Sequence, residues 1–105
     1  MSDCHFIYIT CKNLDQAREI GRTLVSEKLA ACANCLPAIH SIYHWQGEIC
    51  EDEEAVLILK TTAELSEKLI ARVKSLHSYD CPCIVCLPIE KGNPDYLKWI
   101  KDETR

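Results

Sequence analysis

The sequence predicts an α+β fold, one antiparallel sheet backed by helices, and three observations carry that prediction. Short runs of β-branched and aromatic residues alternate with two longer stretches whose apolar residues recur at helical spacing. The order is β-α-β-β-α-β with a further short helix behind it. The 105 residues, 48% hydrophobic and 27% charged, give room for one domain over residues 1–105 with a single core.

Phe6-Ile7-Tyr8-Ile9-Thr10 has the composition of a buried strand. Asn13 followed by Gln16 is a capping-box signature, and Leu14, Ala17, Ile20, Leu24 and Val25 repeat at helical spacing towards an end near Ala31. Leu36 to Trp45 and Ile49 to Thr61 read as two strands around a Gln46-Gly47 turn, with Ile39, Ser41, Tyr43 and Trp45 on one face. Thr61 and Glu64 read as a second capping box, before Leu65, Leu69, Val73 and Leu76 on a helix ending around His77. Cys83 to Ile89 is a nearly continuous apolar run, the pattern of a central strand covered on both faces. Asn93-Pro94 caps a last helix whose apolar face carries Tyr96, Trp99 and Ile100. This is the split βαβ, or ferredoxin-like, order.

The strand from Ile49 to Thr61 would extend about 40 Å at roughly 3.3 Å per residue, against a usual length of about 5 to 6 residues. It must overhang its own domain or bend back at a bulge. An overhanging two-stranded ribbon with Ile39, Tyr43, Trp45 and Ile49 leaves apolar surface and open edges, so a homo-oligomer is the expected cover.

A net charge of −4 and the acidic run Glu51-Asp52-Glu53-Glu54 argue against nucleic acid as a partner. The polar N-terminal residues and the absence of a long apolar run predict neither a signal peptide nor a membrane span, and a cytoplasmic location. In that reducing setting the 8 cysteines are expected as free thiols.

Cys32-Ala33-Asn34-Cys35 has the gap of a redox or zinc pair but follows a helix instead of opening one, so core thiols are the plainer reading. Of Cys81, Cys83 and Cys86 the first two share a strand face and the third points to the other, so one metal does not easily take all three, though soft thiolates there would favour Cu(I) or Zn over Mg or Ca. Cys11 and His77 fall at element ends able to share a cleft, with His77 otherwise a helix-terminal hydrogen-bonding residue. Tyr43, Trp45, Lys60, Tyr79, Tyr96 and Trp99 combine aromatic rings with one cation, which suits a small anionic ligand or simple packing. No nucleophile elbow or phosphate-cradling loop points to an enzyme.

Five ordered segments carry a resemblance: Glu27-Lys28-Leu29-Ala30-Ala31-Cys32, Ser41-Ile42-Tyr43-His44-Trp45-Gln46-Gly47, Leu59-Lys60-Thr61-Thr62, His77-Ser78-Tyr79-Asp80-Cys81-Pro82 and Tyr96-Leu97-Lys98-Trp99-Ile100. Together they resemble the CutA divalent-ion tolerance family, nearly end to end. The resemblance implies a cytoplasmic homotrimer of ferredoxin-like subunits joined through long hairpins, similar to the P-II signalling proteins. It also implies tolerance of copper or another divalent metal ion, with a cysteine late in the first strand and a histidine as ligands. The histidine falls on His77. The cysteine position falls on Ile9, with Cys11 two residues on, while Leu76, Ser78 and Cys83 depart from the family's histidine, proline and glutamate. The expected metal set is therefore Cys11, His77 and Cys83. The alternative is a P-II-like trimer binding a small anion or a partner protein through Lys60 and the aromatic residues.

Overall fold

The computed structural model describes residues 2–105. The elements are β1 (Cys4–Cys11), α1 (Leu14–Ser26), β2 (Cys32–Trp45), β3 (Glu48–Thr62), α2 (Ser66–Leu76), β4 (Ile84–Pro88) and α3 (Pro94–Glu103). The sheet runs β2-β3-β1-β4, with every neighbouring pair antiparallel. This is the ferredoxin-like α+β arrangement expected from the element order.

One face of the sheet is packed by α1 and α2. Ile7, Ile9 and Cys11 from β1 and Ala55, Leu57 and Leu59 from β3 meet Ala17, Ile20 and Leu24 of α1 and Leu69 and Val73 of α2. Gly21 lets α1 approach the sheet, since a Cβ there would stand 3.0 Å from the Ala33 Cβ. The opposite face is covered at one end by α3, whose Ile100 packs on Cys4 and Ala31, and at the other by the segment after α2, whose Tyr79 reaches Glu54.

The cap of α1 is as expected: Asn13 Oδ1 accepts from the Gln16 amide at 2.8 Å, and Gln16 Oε1 accepts from the Lys12 amide at 2.9 Å. The helix ends at Ser26 and not near Ala31, because Lys28 turns left-handed at φ 60° and the Leu29 and Ala30 amides both close on the Leu24 carbonyl. Leu29 and Ala30 are buried in that turn, which is why they continue the apolar pattern. The second capping box is absent. Thr61 lies buried in β3 and donates to the Leu29 carbonyl at 2.6 Å, while α2 begins at Ser66 without a side-chain cap. Asn93 caps α3 through the Asp95 amide at 3.0 Å.

The segment expected at the centre of the sheet, β4, is its edge. Val85 and Leu87 project from the uncovered face and are 48% and 49% exposed. An apolar run marks burial on both sides only if the outer side is covered within the same chain, and here that side is left half exposed.

The hairpin of β2 and β3 does overhang. β1 pairs with β3 only from Ala55 to Thr62, so residues 48–54 pair with β2 alone. A bulge between Leu36 and Ile39, at Pro37, kinks β2 without folding it back. Gln46 at φ 50° and Gly47 at φ 82° make the turn that suits a two-residue hairpin loop. The chain measures 44 Å along its longest axis as a result.

Candidate functional site

Where the two-stranded ribbon leaves the sheet, a cleft of about 580 Å³ opens on the face away from α1 and α2. One wall is the ribbon. Ser41, Tyr43 and Trp45 of β2 share a face by strand alternation, and Asp52 and Glu54 of β3 stand on it too. The other wall is the segment between α2 and β4, contributing Ser78, Tyr79, Asp80, Cys81 and Cys83, with Thr10 at the floor.

Two tyrosines hold the carboxylates. The Tyr79 hydroxyl donates to Glu54 Oε2 at 2.8 Å, and the Tyr43 hydroxyl donates to the Asp52 carboxylate. The Asp52 bond pushes the Tyr43 phenol up to about 12. Burial, then the Glu54 bond, raises that of Tyr79. Each carboxylate can still accept through its second oxygen.

His77 braces the loop from beneath. A backbone N–H can only donate, so the contact from the Tyr79 amide at 3.2 Å makes His77 Nδ1 an acceptor. Nε2 then carries the proton and donates to the Thr10 carbonyl at 2.8 Å. The Thr10 amide in turn donates to the Cys83 carbonyl at 3.3 Å. The His77 and Tyr79 rings lie 4.7 Å apart.

These contacts separate the three expected metal ligands. Cys11 is fully buried in the core between β1 and the helices, its thiol pushed up to about 12 by burial, with Cys35 and Glu54 adding to the shift. Both His77 nitrogens are occupied. Cys83 alone is exposed on the cleft wall. Among the described residues no three His, Cys, Asp or Glu side chains are gathered where one ion could sit. Cys11 shares an element end with His77 but points to the other face of the sheet, since β1 places Thr10 and Cys11 on opposite sides.

The aromatic set also divides. Tyr43, Trp45 and Tyr79 line the cleft, whereas Lys60 sits 5.5 Å above the Tyr96 ring and donates to Asn34 Oδ1 at 2.9 Å. Trp99 stacks on Tyr96, with centroids 5.5 Å apart. Lys60 is eight residues along β3 from Asp52, roughly 26 Å at 3.3 Å per residue. None of the residues lining the cleft is basic, so it offers a small anion no counter-charge.

Two groups escape a reading of the sequence. Asp52 and Glu54 look there like part of a charge run, yet their two-residue spacing within a strand puts them on one face opposite Ser41. The second is Cys86, whose Sγ lies 3.0 Å from His5 Nδ1 across β1 and β4; burial raises that thiol. The two strands are far apart in sequence, and nothing local announces the pair.

Fold and site define a ferredoxin-like α+β domain with an overhanging hairpin and an acidic, thiol-bearing cleft at its root. The chain belongs to the CutA1 divalent ion tolerance protein family, whose family model matches residues 5–103. It is 49% identical over 98 residues to the divalent-cation tolerance protein CutA of Thermus thermophilus, covering 93% of this chain and 95% of that protein. It is 42% identical over 99 residues to the chloroplastic protein CutA 1 of Oryza sativa, covering 94% of this chain but 56% of the rice protein. The chain thus spans nearly all of the bacterial relative and a little over half of the plant one. The crystal structure of CutA from Xylella fastidiosa superposes with a TM-score of 0.96 at 40% identity, over 99% of this chain and all of that one.

Proposed function

We propose that this protein is a cytoplasmic homotrimer that takes up metal ions, copper among them, as cargo in the cleft at the hairpin root, and so contributes to tolerance of and response to metal ions. The observation that carries the reading is the donor set of that cleft, the carboxylates Asp52, Glu54 and Asp80 beside the thiols Cys81 and Cys83, in a member of a divalent ion tolerance family. Carboxylate and thiolate are donors for cations. The reading assigns binding and no catalysis.

The assembly is supported by what one subunit leaves uncovered. Val85 and Leu87 on β4, Leu36 on β2 and the distal Ile42 and Ile49 are exposed, and β2 and β4 are open edges at opposite ends of the sheet. Opposite edges suit head-to-tail contacts, which close into a ring. A ring would let a second copy add donors to a cleft that within one chain lacks three converging ligands among the described residues.

Light scattering on the purified protein tests the assembly, with three times the chain mass of 12.0 kDa expected. Calorimetric titration with Cu(II) and Zn(II) tests the cargo. Binding should weaken in Asp52→Asn and in Cys83→Ser; equal binding by both variants and the unaltered chain would remove the cleft from the account.

A further inference from the structure

Cys81 and Cys83 are both exposed, and both line the same cleft with a single proline between them. Cys81 lies in a bend and Cys83 directly precedes β4, and both line the one cleft. Residues two apart are at most about 7 Å apart at Cα, even in a fully extended chain. Thiolates bound to one ion at about 2.3 Å each sit at most about 4.6 Å apart, within reach of two such side chains.

No other thiols among the described residues are placed this way. Cys4 and Cys11 are buried, Cys86 is engaged with His5, and Cys50 stands opposite Tyr43 on β3 with no second thiol two residues away. Cys32 and Cys35 pair with Lys60 and Leu57, which lie on opposite faces of β3, so they diverge. The number of donors then selects the ion. A structural zinc ion takes four ligands, and three convergent ligands are absent among the described residues. A soft ion content with two thiolates is the one this pair can satisfy alone.

We propose that Cys81 and Cys83 form a two-thiolate clamp for a soft monovalent ion of the Cu(I) type. This rests on the cation-binding reading of the cleft and names the class of ion. Both thiols lose their protons to solvent as the two metal–sulfur bonds form, leaving a bis-thiolate complex of net charge −1. Asp52, Glu54 and Asp80 nearby favour the approach of a cation.

The test is an anaerobic titration of the reduced protein with Cu(I) against a chromogenic Cu(I) chelator, with a parallel Zn(II) and Cu(II) titration. Cys81→Ser, Cys83→Ser and the double variant are compared with Cys32→Ser/Cys35→Ser. Outer-shell ligand partners already cost about 10- to 100-fold when lost, so each single variant at Cys81 or Cys83 should weaken Cu(I) binding by on the order of 100-fold. The Cys32/Cys35 variant should bind like the unaltered chain. Unaltered Cu(I) affinity in the double variant overturns the clamp and leaves the cleft reading standing. If the unaltered protein binds neither Cu(I) nor the divalent ions, both fall.

Discussion

Tyr79, on the segment after α2, donates its hydroxyl to Glu54 of β3 at 2.8 Å and so ties the loop that carries the exposed thiols to the root of the hairpin. Glu54 is only 8% exposed. Tyr79→Phe would leave that carboxylate short of a donor in a poorly solvated place. A loss of about 1–3 kcal/mol is expected, to be read by urea denaturation. A change below about 0.5 kcal/mol, the level of an ordinary surface substitution, would mean that the bond does not hold the loop.

The fold holds several thiols and phenols in their neutral form, Cys11 and Tyr43 among them. The Cys11 thiol rises from 9.0 to about 12 and the Tyr43 phenol from 10.0 to about 12 on folding. Both are neutral acids favoured by the native state. Their contribution is therefore whole below 9.0 and 10.0 respectively, and is lost as pH rises through about 12. Unfolding midpoints measured across the alkaline range should fall over that interval. Cys11 should also resist an aqueous thiol reagent until the chain unfolds, while Cys81 and Cys83 react at once.

At the hairpin tip, Gly47 holds φ at +82°, and nothing lies within 4 Å of where a Cβ would stand. The penalty of a side chain there is backbone strain alone, so Gly47→Val should cost about 1–2 kcal/mol. Gln46, at φ 50°, predicts the opposite sign, with Gln46→Asn stabilising by a few tenths of a kcal/mol (about 0.3) because asparagine tolerates that conformation. Thermal unfolding of the two variants checks both signs.

Leu87 faces outward from the edge strand and is 49% exposed in the subunit. Leu87→Asp should leave the subunit fold within about 0.5 kcal/mol yet dissociate the proposed trimer, which light scattering beside circular dichroism would detect. A trimer of unchanged mass would show that this face is not the contact.

Much of the fold is legible in the sequence because its signals are local. Asn13, Asn93 and the Gln46-Gly47 turn each act within a few residues, and the overhang follows from strand length alone. Signals that depend on what lies opposite mislead. Thr61 looks like a helix cap until β3 is seen to run through it and the Leu29 carbonyl to meet it. The apolar run of β4 describes two faces that avoid water without saying which molecule covers them.

The site is legible in part for the same reason. Tyr43, Trp45, Tyr79 and Cys83 share the cleft, since alternation on β2 and the position of the α2–β4 segment place them there. Cys11 and His77 do stand at the element ends where the sequence puts them. Which way each points depends on one residue of strand phase and on a hydrogen bond to Thr10, and neither is written in residue type. Lys60 belongs with the cleft by chemistry and is separated from it by distance along β3.

The cleft between the hairpin root and the Cys81–Cys83 segment is, on this account, where a metal ion sits. Anomalous X-ray diffraction from crystals of the reduced, Cu(I)-loaded protein tests it most directly. The account predicts a copper peak in the cleft at about 2.0–2.3 Å from the Cys83 sulfur. Copper found instead between Cys86 and His5, or at Cys32 and Cys35, with none in the cleft, would contradict it.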